Sequence, residues 1–495
     1  MRETPIEINK EEFRKIGYRL IDKIADFIDT IDEKPVTTGE TPIELQHILG
    51  KASLPENGMP AAELLSKTTD LLLDHSLLNG HPKFLGYITS SAAPIGALAD
   101  LLAAAVNPNV GAHILSPMAT EIEKQTIQWL AEFIGVPNTY GGLLVSGGNM
   151  ANFTAFLTAR TAKASENFKE DGLVSDSKLL VYCSKTTHTW VEKAVILFGH
   201  GSKSIRWIVT DSNNKMNIEV LEKTINDDLN LGYKPFMVVG TAGDVSTGAV
   251  DNLEGISSVC KTYNLWFHID GAYGAPAAVI PKLKKVFKGL KEADSIALDP
   301  HKWLYNPLEA GCTLVKDPQH LIDTFSSHPE YYNFTNSKEE IAQNYYEYGL
   351  QNSRGFRALK VWMTLQQVGR SGYEKMISED IELSKSIFEK AENHPELEAV
   401  SQNLSIATFR YIPIEYLKDS TDKDDYLNTL NEEIVNTLQT GGEVFLSNAL
   451  VNKKYCLRAC IVNFRTSNKD IEEIIALVIK AGRKTHKLLK KNSPK

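Results

Sequence analysis

Short apolar runs separated by helical patterns fill the middle of this 495-residue chain. The runs 178–183, 236–241, 265–269, 295–298 and 312–315 are strand-like, several with no polar alternation, the pattern of strands buried on both faces. Their alternation with helical stretches predicts an α/β unit around a mainly parallel sheet over residues 86–370. Upstream, Phe13, Ile16, Leu20, Ile24, Phe27 and Ile28 recur at helical spacing, and Asn9 followed by Glu12 is a capping-box signature, so residues 9–32 read as an amphipathic helix. Residues 33–60 read as loop, broken by Pro35, Pro42, Pro55 and Pro60, whereas 92–106 reads as a buried helix. From residue 371 the pattern changes to a long helix, strands near 406–411 and 455–464, and a last helix from Lys469. The expected organisation is an N-terminal helical segment (1–85), a large α/β domain (86–370) and a smaller α+β domain (371–495).

Composition narrows the partners. Hydrophobic residues at 42% and charged residues at 23% are ordinary for a globular protein, and a net charge of −9 argues against nucleic acid or an anionic membrane as the main partner. Five cysteines sit mostly in apolar runs, which suits reduced, buried thiols in the cytoplasm. Cys456 and Cys460 are four apart but lack a second ligand pair, so packed thiols are favoured over a zinc site. The first residues have no signal-peptide core, and 92–106, interrupted by Pro94 and Asp100, falls short of the ~20 residues that span a bilayer.

The candidate chemistry lies at strand ends. Ser295–Leu298 is followed by Asp299-Pro300-His301-Lys302, and a lysine where a buried strand ends can lose its charge by desolvation and attack an aldehyde as a neutral amine. Leu265–Ile269 ends in Asp270, 32 positions before Lys302, and a buried carboxylate there would keep a pyridine nitrogen protonated. Together they make one hypothesis, a site for pyridoxal phosphate. Val145-Ser146-Gly147-Gly148-Asn149 opens a helix, and glycines at a helix start let backbone amides approach a phosphate.

The Asp-Pro-His-Lys-Trp core, the His-Ile-Asp-Gly-Ala-Tyr strand end, Ser-Gly-Gly-Asn at 146–149, Thr-Thr-His-Thr-Trp at 186–190 and the turn 239–251 resemble the pyridoxal-phosphate-dependent decarboxylases of the aromatic-amino-acid, histidine and glutamate group, from about His81 to Arg465. The resemblance implies the fold-type I, aspartate-aminotransferase-like architecture, with a mainly parallel central sheet of the seven-stranded type. It also implies a homodimer with the active site at the subunit interface and the N-terminal helix lying across the partner. By the same resemblance Lys302 holds the cofactor, Asp270 meets its ring nitrogen, His188 stacks on one face of the ring and Ala272 packs on the other. Thr241 lies close by, and Gly148, Asn149, His301 and Ser353 form the phosphate cup. Asp299 would repel a phosphate and is expected to accept hydrogen bonds instead. Asp244 and Val245 depart from the family's hydroxyl pair, which leaves the local hydrogen-bond network open.

Tyr331, 23 residues before Arg354, matches the family's proton-donating tyrosine, with Tyr332 in reserve. Family members that lack this tyrosine or the histidine tend toward oxidative aldehyde formation, so the pair favours simple decarboxylation. The segments 81–87 and 107–113 match the walls of the side-chain pocket, with Phe84, Tyr87, Val110, Ala112 and His113 as lining candidates. Lys83 is the one lysine or arginine in them, which disfavours a glutamate-type substrate, and Ser353 leans toward tyrosine-like ones. The expectation is decarboxylation of an aromatic L-amino acid of the tyrosine, dihydroxyphenylalanine, phenylalanine or tryptophan class. The alternatives are a histidine- or glutamate-class decarboxylase and an oxidative, aldehyde-forming variant.

Overall fold

A computed structural model describes residues 4–164, 168–173, 178–327, 342–418 and 424–492. Its first strand, β1 (Phe84–Leu85), pairs far downstream. The next seven are β2 (Gly141–Val145), β3 (Leu179–Ser184), β4 (Ile205–Ile208), β5 (Lys234–Thr241), β6 (Trp266–Asp270), β7 (Ser295–Leu298) and β8 (Gly311–Val315), and they form one sheet in the order β2-β8-β7-β6-β5-β3-β4. Only β8 runs against the others. Strands β3, β6, β7 and β8 are buried along their whole length, as their apolar runs require. Register places Thr241 level with Asp270, and Asp270 level with Ala297, so the carboxyl ends of β5, β6 and β7 open into one crevice.

The second sheet has the order β1-β11-β12-β10-β9, with β9 (Leu397–Asn403), β10 (Ile406–Tyr411), β11 (Phe445–Val451) and β12 (Lys454–Cys460). Its edge strand β1 comes from within the N-terminal segment, where Phe84 lies parallel to and level with Phe445. The helix Ala358–Glu392 joins the two units, breaking at Gly369, whose φ of 66° lies in the left-handed region that glycine tolerates. Its residues pack on the helices Pro94–Val106 and Pro117–Phe133 and on β9.

Three features differ from the sequence reading. Residues 33–60 contain the helix Pro42–Leu49: Pro42 falls in the first turn, where its missing N–H costs nothing, and Thr41 and Glu44 complete a reciprocal capping box. The helix Pro94–Val106 is not buried in the single chain: only Gly96 and Ala99 are, while Leu98, Leu101, Leu102 and Val106 face outward. Strands β4, β9 and β11 escaped the strand reading: the edge strands β4 and β9 alternate or turn polar, as Ile-Arg-Trp-Ile and Leu-Glu-Ala-Val-Ser-Gln-Asn do, and the inner β11 carries Ser447 and Asn448 among its apolar residues. No helix among the described residues is long and apolar enough to cross a membrane.

One buried ion pair ties the crevice rim to the sheet. Arg354 pairs with Glu123, both essentially without solvent contact, and also donates to the carbonyls of Val110 and Leu144 at 2.7 Å each. Glu123 in turn accepts from the Leu144 amide at 2.9 Å. Removing one partner leaves an uncompensated buried charge, so Arg354→Met is expected to cost about 3–5 kcal/mol. Urea denaturation of the variant against the parent chain measures it.

Candidate active site

Lys302 sits one turn beyond β7, placed by its backbone amide, which donates to the Asp299 carbonyl at 2.9 Å. Its ammonium lies 2.9 Å from Asp299 Oδ2, a carboxylate that is 0% exposed, while the lysine side chain keeps 23% of its surface open to the crevice. Burial by itself lowers the Lys302 pKa, as the sequence suggested. The adjacent Asp299 carboxylate, with a further contribution from Asp270, outweighs it, and the net shift is upward. The desolvated neutral amine expected from sequence is therefore replaced by a paired ammonium. His301 turns the other way, with Nδ1 2.7 Å from the Ala310 carbonyl, and burial lowers its pKa.

Asp270 closes β6. Its Oδ2 accepts from Trp190 Nε1 at 2.8 Å and its Oδ1 from the Ala272 amide at 3.2 Å, which orient the carboxylate from both sides. Behind it, His268 bridges Asn152 Oδ1 at 2.7 Å and Ser295 Oγ at 2.9 Å, and its ring meets Trp190 edge-on. Thr241 is held by Asp251, which receives the Thr241 amide at 2.8 Å and the Met216 amide at 2.6 Å, and burial pushes the Asp251 pKa up to about 6. The Thr241 hydroxyl lies 3.4 Å from that of Thr187. His188 is exposed at the start of the helix Trp190–Leu197, and its Nδ1 accepts from the Trp190 amide at 3.3 Å. Its pKa is lowered by desolvation first and by Lys302, against the opposing pull of Asp270 and Asp299.

Across the crevice the helix Gly148–Lys163 begins at Gly147, whose φ is 99°. A side chain on Gly147 would put its Cβ 3.3 Å from His301 Cε1, and one on Gly148 would put its Cβ 2.5 Å from Asp299 Oδ2. No side chain caps the first-turn amides, which lack intrahelical acceptors and suit an anion.

The family described as "Pyridoxal-dependent decarboxylase conserved domain" matches residues 42–412. The chain belongs to that family. A second description, "PDXDC1-like second central domain", matches residues 388–490. Aromatic-L-amino-acid decarboxylase of Bacillus atrophaeus is 34% identical over 471 residues, 95% of each protein. Phenylacetaldehyde synthase of a Rosa hybrid cultivar is 28% identical over 474 residues, 94% of this chain and 93% of that one. Among solved structures, tryptophan decarboxylase of Catharanthus roseus in complex with L-tryptophan superposes with a TM-score of 0.86 at 25% identity, covering 98% of this chain and 100% of that one. The protein is a pyridoxal-phosphate-dependent decarboxylase of fold-type I. The residues present fit the cofactor: an uncapped glycine helix start for its phosphate, an oriented carboxylate for its ring nitrogen and one lysine between them.

The remaining sequence candidates divide. Thr241 and Asp270 end β5 and β6, Gly148 and Asn149 open the helix Gly148–Lys163, and His188, Ala272, His301 and Lys302 stand on the loops after β3, β6 and β7, so all eight lie at or facing the crevice. Ser353 is exposed beside Arg354, and its neighbour Asn352 packs on Gly111, where a Cβ would lie 2.2 Å from the Asn352 carbonyl oxygen. Val110 and Ala112 are buried in that wall, and His113 Nε2 lies 3.5 Å from Glu121. Tyr87 is exposed with its ring 6.0 Å from that of Phe445, whereas Phe84 is buried and stacked on Phe445 in a small core with Val36. Tyr331 and Tyr332 lie outside the described residues. Asp244 answers the question left by its motif: it caps its own turn, accepting from the amides of Ser246, Thr247 and Ala249 at 2.8, 3.0 and 2.9 Å. Trp190, Asn152, His268 and Asp251 were not foreseen, although Trp190, His268 and Asp251 stand inside quoted motifs.

Two outcomes follow from these contacts. Trp190→Phe leaves the buried Asp270 carboxylate short of one donor and is expected to cost about 1–3 kcal/mol in stability, read by denaturant titration. His268 is fully buried and held neutral, its pKa lowered to about 4 by burial from the ordinary 6.5. Below pH 6.5 the unfolded chain binds a proton here that the folded chain refuses until about pH 4, so stability present at neutral pH is lost through that window. The stability lost between pH 7 and pH 5 is expected to be smaller in His268→Gln than in the parent chain.

Proposed function

We propose that this decarboxylase acts on an aromatic L-amino acid and releases the amine and carbon dioxide, working as a homodimer in the cytoplasm. The observation that carries the reading is the gathering of Lys302 and Asp299 after β7, Asp270 at the end of β6 and His188 after β3 around a single crevice, where the two carboxylates act on the titration of Lys302 and His188. When bound, pyridoxal phosphate supplies an aldehyde that takes up amines and a ring that accepts the electron pair freed by loss of carbon dioxide. Lys302 provides the anchoring amine. Asp270, fixed by Trp190 and the Ala272 amide, holds a positive charge opposite it. The amides of Gly148 and Asn149, with His301 and Ser353, would hold the phosphate, and Thr241, His188 and Ala272 would bound the ring. His188, with its lowered pKa, is neutral at pH 7 and is suited to accept or relay a proton. Tyr331, with Tyr332 as the alternative, delivers the proton to the substrate Cα.

The side-chain preference rests on the pocket wall and on the relatives' own substrates. Tyr87 presents an exposed ring, and the buried Val110 and Ala112 give the wall behind Gly111 an apolar backing. Lys83 is engaged with Glu473 at 2.5 Å, so its charge is already matched and does not serve a distal carboxylate. The dimer reading is supported by the outward apolar faces of the helices Lys10–Asp29 and Pro94–Val106, which carry Phe13, Leu98, Leu101, Leu102 and Val106. Five buried free thiols agree with a reducing compartment.

The test is purified protein with pyridoxal phosphate offered tyrosine, phenylalanine, tryptophan, dihydroxyphenylalanine, histidine and glutamate, with amine, carbon dioxide, aldehyde and peroxide quantified. Equal amine and carbon dioxide from an aromatic substrate, abolished in Lys302→Ala, is the expected result. Aldehyde with peroxide, or turnover of histidine or glutamate alone, overturns it. Light scattering is expected to give twice the 55.0 kDa chain mass, and Leu101→Asp with Leu102→Asp to give monomers with activity reduced at least tenfold.

A further inference from the structure

Asp299 lies at the crevice and holds no part of the cofactor or substrate in the reading above. It is fully buried, its Oδ2 forms an ion pair with Lys302 Nζ at 2.9 Å and lies 3.8 Å from His301 Nε2, and neither of its oxygens has a hydrogen-bond partner among the described residues, so the hydrogen bonds expected of it from sequence are not made. The same carboxylate faces the first turn of the helix Gly148–Lys163: a Cβ on Gly148 would stand 2.5 Å from Oδ2 and 3.3 Å from Oδ1. A helix start with uncapped amides attracts an anion, and here the chain supplies one from a neighbouring loop.

Two demands of cofactor capture meet this carboxylate. An ammonium must release a proton before its nitrogen can attack an aldehyde; the C=N bond then forms and the carbonyl oxygen departs as water. A phosphate arriving at the helix start also meets a like charge. We propose that Asp299 is an internal counter-anion: without cofactor its carboxylate holds the Lys302 ammonium and occupies the electrostatic place of the phosphate, and capture of pyridoxal phosphate proceeds by displacing it from both. The displacement step rests on the reading of Lys302 as the cofactor lysine; the pairing with Lys302 does not. In this role Asp299 is a positioning residue that governs when Lys302 becomes a nucleophile.

The experiment begins with the full-length chain stripped of cofactor. Competitive acetylation of Lys302 is followed by peptide mass spectrometry from pH 6 to pH 10 in the parent, Asp299→Asn and Asp299→Ser, with circular dichroism confirming folded protein. Removal of the counter-anion is expected to raise Lys302 labelling at a fixed pH by about tenfold, the effect of one pKa unit. Stopped-flow absorbance after mixing with pyridoxal phosphate is expected to show capture at least three times faster in both variants. Unchanged labelling in both folded variants overturns the counter-anion. Increased labelling with capture no faster overturns the displacement. Increased labelling with no covalent capture by any of the three proteins upholds the pairing and overturns the cofactor reading together with the displacement step.

Discussion

Thr241, Asp270 and Ala297 stand level across three parallel strands, and the site is laid out from that line. Parallel strands must return through crossover connections, so their carboxyl ends all point one way and deliver successive loops to the same crevice. The end of β6 brings Asp270, the loop after β7 brings Asp299 and Lys302, and the loop after β3 brings His188 and leads into the helix that opens with Trp190. A slip of one residue between β5 and β6 would carry Asp270 to the opposite face of the sheet. Burial opposes the slip, because every residue of β6 is buried and the shift would exchange the side chains packed on its two faces.

Within that frame, charges decide the chemistry more than burial does. Desolvation pulls Lys302, His188 and His301 in the same direction, toward the neutral form. It prevails for the two histidines but loses at Lys302, where a buried carboxylate lies 2.9 Å from the ammonium. Coulombic attraction in a medium of low effective dielectric exceeds a desolvation cost that the same ion pair has already reduced. The site therefore rests in a charge-matched state, with Asp270 held by neutral donors and Asp299 by the lysine.

The helix Pro94–Val106 illustrates a different balance. Its composition is apolar enough for a core, yet four of its large side chains face outward in the single chain. Sequence hydropathy reports that a surface is to be removed from water and is silent on whether the same chain or another removes it. Similarly, Pro42 has one meaning inside a helix and the opposite one in its first turn, and only the Thr41–Glu44 box distinguishes them.

Much of this protein was legible locally. Apolar runs located the inner strands of the large sheet, the motif order placed Lys302, Asp270, His188 and the Gly147–Gly148 turn at element ends, and Asn9 marked a helix start that the structure keeps, with the Glu12 amide 3.0 Å from its side chain. These features depend on neighbours within a few residues, which a chain carries in its order. The partners that tune the site do not: Trp190 reaches Asp270 across 80 positions, and Arg354 reaches Glu123 across 231. Spacing along the chain carries no signal for such contacts, because they arise where sheet register and helix packing bring distant segments together. The sequence by itself determined which chemistry the chain carries, and the tertiary structure decided its charge state: Lys302 is an ammonium because Asp299 is buried against it.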